Sequence, residues 1–208
     1  MIDTLVHQIK SKLSSGLPGR SAHLKMSHKL RYYTPPAPET ATLSAVCILL
    51  YPNSLGSFSF SLMERSSKNI HDKHKGQISL PGGKKDLIDQ SLQDTALREL
   101  HEELGVHPKK VDVLAPLSEL YIPVSNFAVS PFIGVTDQQP EFILQESEVK
   151  ALIEVDLQEL LNPSNIRSTN IQISPKITLK DVPYFHLNDR VVWGATAMIL
   201  SEFKQLVQ

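Results

Sequence analysis

Residues 81–106 read PGGKKDLIDQSLQDTALRELHEELGV, and the second half of that stretch has the marks of a helix with both ends specified. Ser91 with Asp94 three residues on has the form of a capping box. Leu92, Ala96, Leu100 and Leu104 recur at helical spacing, and Gly105 stands where a C-terminal glycine cap belongs. The pattern predicts a helix over 92–104. At about 100° per residue, Glu99, Glu102 and Glu103 leave that helix within one arc beside the apolar stripe. Like charges at this spacing cost a few tenths of a kcal/mol each on an exposed helix and more when partly buried. A cation among them removes the repulsion. Ligation by carboxylates alone selects a hard ion, Mg²⁺ or Mn²⁺, which keeps several waters and takes its remaining contacts from phosphate oxygens.

An isolated E-x-x-E-E is more often a solvated helix face. The flanking residues argue the other way. Gly82 and Gly83 let the backbone approach a phosphate or present a carbonyl to a metal, and Arg98 can pair with a glutamate and fix its direction. The order Pro-Gly-Gly, acidic loop, helix, Arg-Glu-Leu-x-Glu-Glu-x-Gly resembles the Nudix hydrolases, whose box is G-x5-E-x7-R-E-U-x-E-E-x-G-U with U aliphatic. Arg98, Glu99, Leu100, Glu102, Glu103, Gly105 and Val106 match its second half. The first half departs: Gln90 holds the box glutamate position and Lys84 the glycine position, with acids at Asp86 and Asp89 instead. That departure resembles the coenzyme A pyrophosphatases, whose loop tends to read PGGxxDxxD.

The resemblance implies an α/β fold, a Nudix-type α/β/α sandwich with a mixed β-sheet. It also implies Mg²⁺ or Mn²⁺ on Glu99, Glu102 and Glu103, with Arg98 among the catalytic residues. Many Nudix enzymes place a glutamate before a late strand, where it ligates metal or takes the proton of the attacking water. In ESEVKALIEV both Glu146 and Glu148 qualify, and Glu102 is a further candidate base. Arg65, in the element Leu62-Met63-Glu64-Arg65-Ser66 that resembles the coenzyme A group, can bind a diphosphate bidentately; a strand-end surface arginine is the plain alternative. His74 is a candidate phosphate contact, though loop histidines are more often solvated. The group's second arginine in this segment is missing, and Asp72 stands nearest its place, among Lys68, Lys73 and Lys75.

Elsewhere, 208 residues with 41% hydrophobic content suffice for one domain with a full core. A net charge of −1 gives no general attraction to nucleic acid. The lone Cys47 excludes an intrachain disulfide and suits a reducing cytosol. No apolar run has the length of a membrane span and no secretory h-region opens the chain, so the expectation is a cytoplasmic protein with no membrane partner. The sequence leaves room for a homodimer.

Residues 1–39 read as an N-terminal helix (1–15) followed by an extended arm, and 40–208 as the Nudix-like domain. Within it, 44–51, 57–64, 111–120, 129–135 and 149–155 read as strands, 157–161 as a short helix and 192–207 as a long one. Phe127, Val129, Phe132, Trp193, Ala197 and Leu200 read as core, as do Tyr184 and Phe185. The expected substrate is a nucleoside diphosphate derivative, foremost coenzyme A or acyl-coenzyme A, cleaved to 3′,5′-ADP and (acyl-)phosphopantetheine. ADP-ribose or dinucleotide hydrolysis uses the same box, and a non-catalytic nucleotide sensor on the same fold is the alternative outside enzymes.

Overall fold

The computed structural model describes residues 2–66 and 76–208. Its main sheet is built from Thr42–Pro52 (β1), Phe58–Arg65 (β2), Ile78–Ser79 (β3), Gly82–Lys84 (β4), Asp112–Pro116 (β5), Leu120–Ile122 (β6), Phe127–Val135 (β7) and Val149–Asp156 (β8). β1 is nearly all apolar because both of its faces are covered. Ala45, Cys47, Leu49 and Tyr51 join one core cluster, and Val46, Ile48 and Leu50 the other. Burial pushes the Cys47 thiol up to about 12, so it stays a neutral core residue.

β1 runs parallel to β7 along its length and antiparallel to β2 at one end, through Leu50 opposite Phe60. At its other end β1 takes β4 instead, with Val46 opposite Gly82 and Ser44 opposite Lys84, while β3 pairs with the far part of β2. The segment 78–84 therefore holds two short strands set where β1 and β2 part. β8 lines the outer edge of β2, and β5 and β6 share the outer edge of β7.

The helices are Ile2–Leu13 (α1), Gly19–Lys25 (α2), Leu92–Leu104 (α3), Leu157–Leu161 (α4) and Gly194–Val207 (α5). α3 covers one face of the sheet with Ala96, Leu100 and Leu104, and α5, backed by α1, covers the other. The expected α/β/α sandwich with a mixed sheet is the architecture found. An antiparallel sheet of Ile166–Ser174 (β9), Ile177–Leu187 (β10) and Arg190–Trp193 (β11) adds Phe185, Leu187 and Val192 to the α5-side core. No helix among the described residues is long and apolar enough to cross a membrane.

Several expectations need correcting. The stretch 16–40 is not simply extended: it holds α2 and a 3₁₀ turn, Lys29–Arg31. α2 has no side-chain cap at Pro18 and is held by tertiary bonds. Ser201 Oγ donates to Ala22 O at 2.8 Å, Gly19 N donates to Glu202 Oε1 at 2.9 Å, and His23 Nε2 lies 2.9 Å from Glu202 Oε2. Burial pushes the Glu202 carboxyl up, but hydrogen bonds from His23, Ser118 and Gly19 outweigh it and hold it below its ordinary value. The expected strand 111–120 breaks between β5 and β6, where Ser118 turns its N–H and hydroxyl to Glu202 at 3.1 and 2.7 Å. The last helix starts at Gly194, because Val192 and Trp193 pair with Phe185 and Tyr184 in the small sheet. Trp193 and Phe127 are only half-buried, whereas Tyr184 and Phe185 are buried as expected.

Candidate active site

The site is assembled around two residues that have no side chain. Gly82 has φ +152°, and a Cβ there would overlap Ala45 O and Val46, so only glycine lets β4 lie against β1. At Gly83 a Cβ would stand 2.5 Å from Glu99 Oε1. The bare strand thus forms a ledge on which carboxylates from α3 rest. Gly82 N donates to Glu103 Oε2 at 2.7 Å, and Arg65 Nη1 lies 3.8 Å from Glu103 Oε1.

Glu103 is 1% exposed. Burial pushes its carboxyl up to about 8; the Gly82 N–H and Arg65 oppose this, while the charges of Glu99 and Glu148 add to it. Burial also raises Glu99, against the pull of Arg98 and with a push from Glu102 and Glu148. Glu148, not Glu146, is thus the acid that both carboxylates feel. It lies in the turn before β8, where Ser66 N donates to Glu148 O at 2.7 Å and Arg65 pairs with Val149.

Arg98 spends all five of its donors on the protein. Nε and Nη2 grip Asp89 at 2.9 and 3.0 Å, Nη2 also reaches Lys84 O at 3.0 Å, and Nη1 bonds Glu99 at 2.9 Å and Glu102 at 2.8 Å. The Arg98 fork holds the Asp89 carboxyl well below the usual range, with help from Asp86 N–H and the Thr95 hydroxyl. Asp89 thereby anchors the acidic loop to the helix. Asp86 stays exposed at the loop surface, its Oδ1 3.4 Å from Ile88 N.

The structure therefore brings Glu99, Glu103, Arg65, Gly82 and Gly83 together, with Glu148 within electrostatic reach. The Glu102 side chain is 55% exposed and turned to Arg98. Among the described residues no three acidic, His or Cys side chains converge in a ready-made metal cluster. The donor set nevertheless fits a hard divalent ion. A carboxylate raised by burial, with two more carboxylates adding to it, gains from a cation, and all the donors are oxygens. His74 lies outside the described residues, as do Lys68, Lys73 and Lys75.

Beyond the ledge, on the α5 side of the sheet, a cavity of about 480 Å³ opens. Val46, Ile122, Val124, Phe127 and Trp193 give it apolar walls. Its charged lining groups among the described residues are Arg31, Arg65 and Lys84, with no Asp or Glu. Sequence reading missed Arg31 and Lys84, which no local pattern singles out, and assigned Phe127 and Trp193 to the core because their spacing suits packing equally well.

The Nudix domain family model matches residues 41–177. Among curated relatives, the uncharacterized Nudix hydrolase NudL of Pectobacterium atrosepticum is 36% identical over 141 residues, covering 68% of this chain and 71% of the relative. The protein of the same name from Yersinia pestis is 36% identical over 149 residues, covering 70% and 71%. Among solved structures, the MutT protein of Methanosarcina mazei Go1 superposes with a TM-score of 0.50 at 18% identity, covering 79% of this chain and 92% of that one. At that identity the likeness concerns the fold alone.

Proposed function

The chain belongs to the Nudix hydrolase family, whose members act on nucleoside diphosphate derivatives and generally use divalent metal ions, and from that premise we propose that it cleaves the diphosphate of coenzyme A or acyl-coenzyme A. The products are 3′,5′-ADP and (acyl-)phosphopantetheine. The observation that carries this reading is the meeting, at Gly82–Gly83, of a buried carboxylate ledge and an acid-free cationic cavity, with Arg65 belonging to both. A diphosphate laid along the ledge has Glu99 and Glu103 behind it and room for the rest of the molecule in front.

Glu99 and Glu103, with Glu102 beside them, are the residues to hold the divalent ion. When bound, it supplies positive charge beside the diphosphate and makes a nearby water easier to deprotonate. Glu148 takes the proton from that water, since its carboxylate is the one close enough to act on both Glu99 and Glu103. Arg65 and the β4 backbone hold the phosphates for in-line attack with a phosphate as leaving group. Arg98 is a positioning residue: its donors are filled, and it orients Glu99 and Glu102 rather than touching substrate.

The coenzyme A assignment rests on the PGGKKDLID loop and on apolar cavity walls suited to a pantetheine arm or a base. Asp72, where the coenzyme A group tends to have an arginine, favours ADP-ribose as the second reading. Retention of all three helix glutamates speaks against a non-catalytic sensor. The test is a panel of coenzyme A, acetyl-coenzyme A, ADP-ribose and NADH incubated with Mg²⁺ or Mn²⁺ and resolved by chromatography. Highest kcat/KM on a coenzyme A species is expected. ADP-ribose favoured by more than about tenfold, some 1.4 kcal/mol in transition-state binding, would replace that assignment.

A further inference from the structure

We propose that Arg31 forms a second phosphate-binding point of the cavity, separate from the Arg65–Gly82 clamp, and takes a phosphate carried on the nucleoside part of the substrate. This rests on the diphosphate-hydrolase reading and adds to it a residue from outside the family-matched segment 41–177.

Arg31 is half-buried at the cavity wall. Its side-chain hydrogen bond runs from Nη2 to Tyr121 O at 2.7 Å, and no carboxylate lies within ion-pair distance among the described residues. Arg98, by contrast, is surrounded by acids. Removing a guanidinium from water against one neutral carbonyl is unfavourable, and burial alone accounts for its lowered pKa. An anion entering the cavity offsets that cost. No Asp or Glu lines the cavity itself; Glu119 lines a neighbouring pocket that Arg31 also borders, without reaching ion-pair distance among the described residues.

The sheet register fixes how far this point lies from the ledge. Lys84 of β4 pairs with Ser44, Ser44 with Val129, and Val129 with Leu120, the neighbour of Tyr121. Arg31 therefore docks three strand spacings from β4, about 14 Å between backbones. Arg31 Nη2 stays at Tyr121 O, on the β6 side of that span, so one diphosphate seated on the β4 backbone falls short of it, whereas a nucleoside phosphorylated at two positions has the length.

The arm holds Arg31 in place before any ligand arrives. Arg20 donates to Tyr32 O and Thr34 O at 2.5 and 3.2 Å, and Thr34 Oγ1 donates to Arg31 O at 2.8 Å. α2, which carries Arg20, is bonded to α5 through Ala22, His23 and Gly19. A preset guanidinium loses little freedom on binding, which favours affinity.

The experiment compares 3′,5′-ADP with 5′-AMP by calorimetry on wild type, Arg31→Gln and Arg31→Lys, alongside kcat/KM for coenzyme A and 3′-dephospho-coenzyme A. Gln keeps a donor for Tyr121 O and removes the charge. The wild type should bind 3′,5′-ADP at least about tenfold more tightly than AMP, as a charge-assisted fork to a phosphate allows. R31Q should abolish that preference, leave AMP affinity unchanged, and raise KM for coenzyme A but not for its dephospho form. Equal weakening of both nucleotides, an intact preference in R31Q, or none in the wild type overturns the proposal. If R31Q does not fold, R31K decides: a preference cut at least about threefold by loss of the planar fork supports it, and an unchanged one overturns it. Absence of turnover by wild type, with a binding preference that still depends on Arg31, would remove the hydrolase reading and leave this one standing.

Discussion

Gly83 and Asp89 are the residues on which the local geometry turns. Because a Cβ at Gly83 would stand 2.5 Å from Glu99 Oε1, Gly83→Ala must displace that carboxylate. We expect kcat to fall at least about tenfold with the protein still folded, since misplacement of about 1 Å in an active site costs that much or more. Gly82→Ala differs, because at φ +152° its Cβ meets backbone; a loss of about 3 kcal/mol, read by denaturant unfolding, is expected. Asp89→Asn leaves the Arg98 fork facing a neutral amide, with an expected loss of about 2 kcal/mol at neutral pH. The Asp89 carboxyl is held below its ordinary value, so its contribution is present above the unfolded value of about 3.9 and lost as pH falls below it. The gap between wild type and Asp89→Asn should therefore close in acid. The sequence offered Asp86 and Asp89 without choosing between them. The choice depends on a turn that aims one carboxylate into a guanidinium fork, which residue spacing does not encode.

Elements were legible where their causes are local. α3 spans Leu92–Leu104 as the spacing predicts, because both ends carry their own signals: the reciprocal Ser91–Asp94 box and Gly105 at φ +75°. Ser91→Ala should cost about 1 kcal/mol, or about 3 °C in Tm for a chain of this size, measurable by calorimetry. α2 was illegible because its stability comes from Glu202 and Ser201, far along the chain. β3 and β4 hide for the opposite reason. β3 is only two residues long and β4 is mostly glycine, so neither carries a strand pattern, and pairing with the parted ends of β1 and β2 makes them extended. Of the site, the glutamates and glycines lay in one motif and were readable. The cavity brings together residues from widely separated segments, so Arg31, Phe127 and Trp193 gave no signal of sharing it.

At the scale of the whole molecule, the carboxylate ledge ties stability to pH and to metal. Glu103 stands at about 8 against an ordinary 4.5, and Glu99 is raised in the same direction. The folded state thus binds protons that the unfolded chain releases, so the metal-free protein should lose stability as pH rises from about 4.5 to about 8. Divalent ions need the ionised carboxylates. Mg²⁺ or Mn²⁺ at a hundred times its Kd should add about 2.7 kcal/mol, some 5–10 °C in Tm, with a larger shift at pH 8 than at pH 6. If no divalent ion at millimolar concentration moves Tm, the glutamates do not hold one. The central claim, that Glu103 holds a cation which drives diphosphate hydrolysis, is tested most directly by kcat for coenzyme A in wild type and Glu103→Gln at saturating Mg²⁺. Gln mimics the protonated acid, so the variant should fold at least as stably without metal yet lose at least about a hundredfold in kcat. Turnover near the wild-type rate by Glu103→Gln would contradict the account.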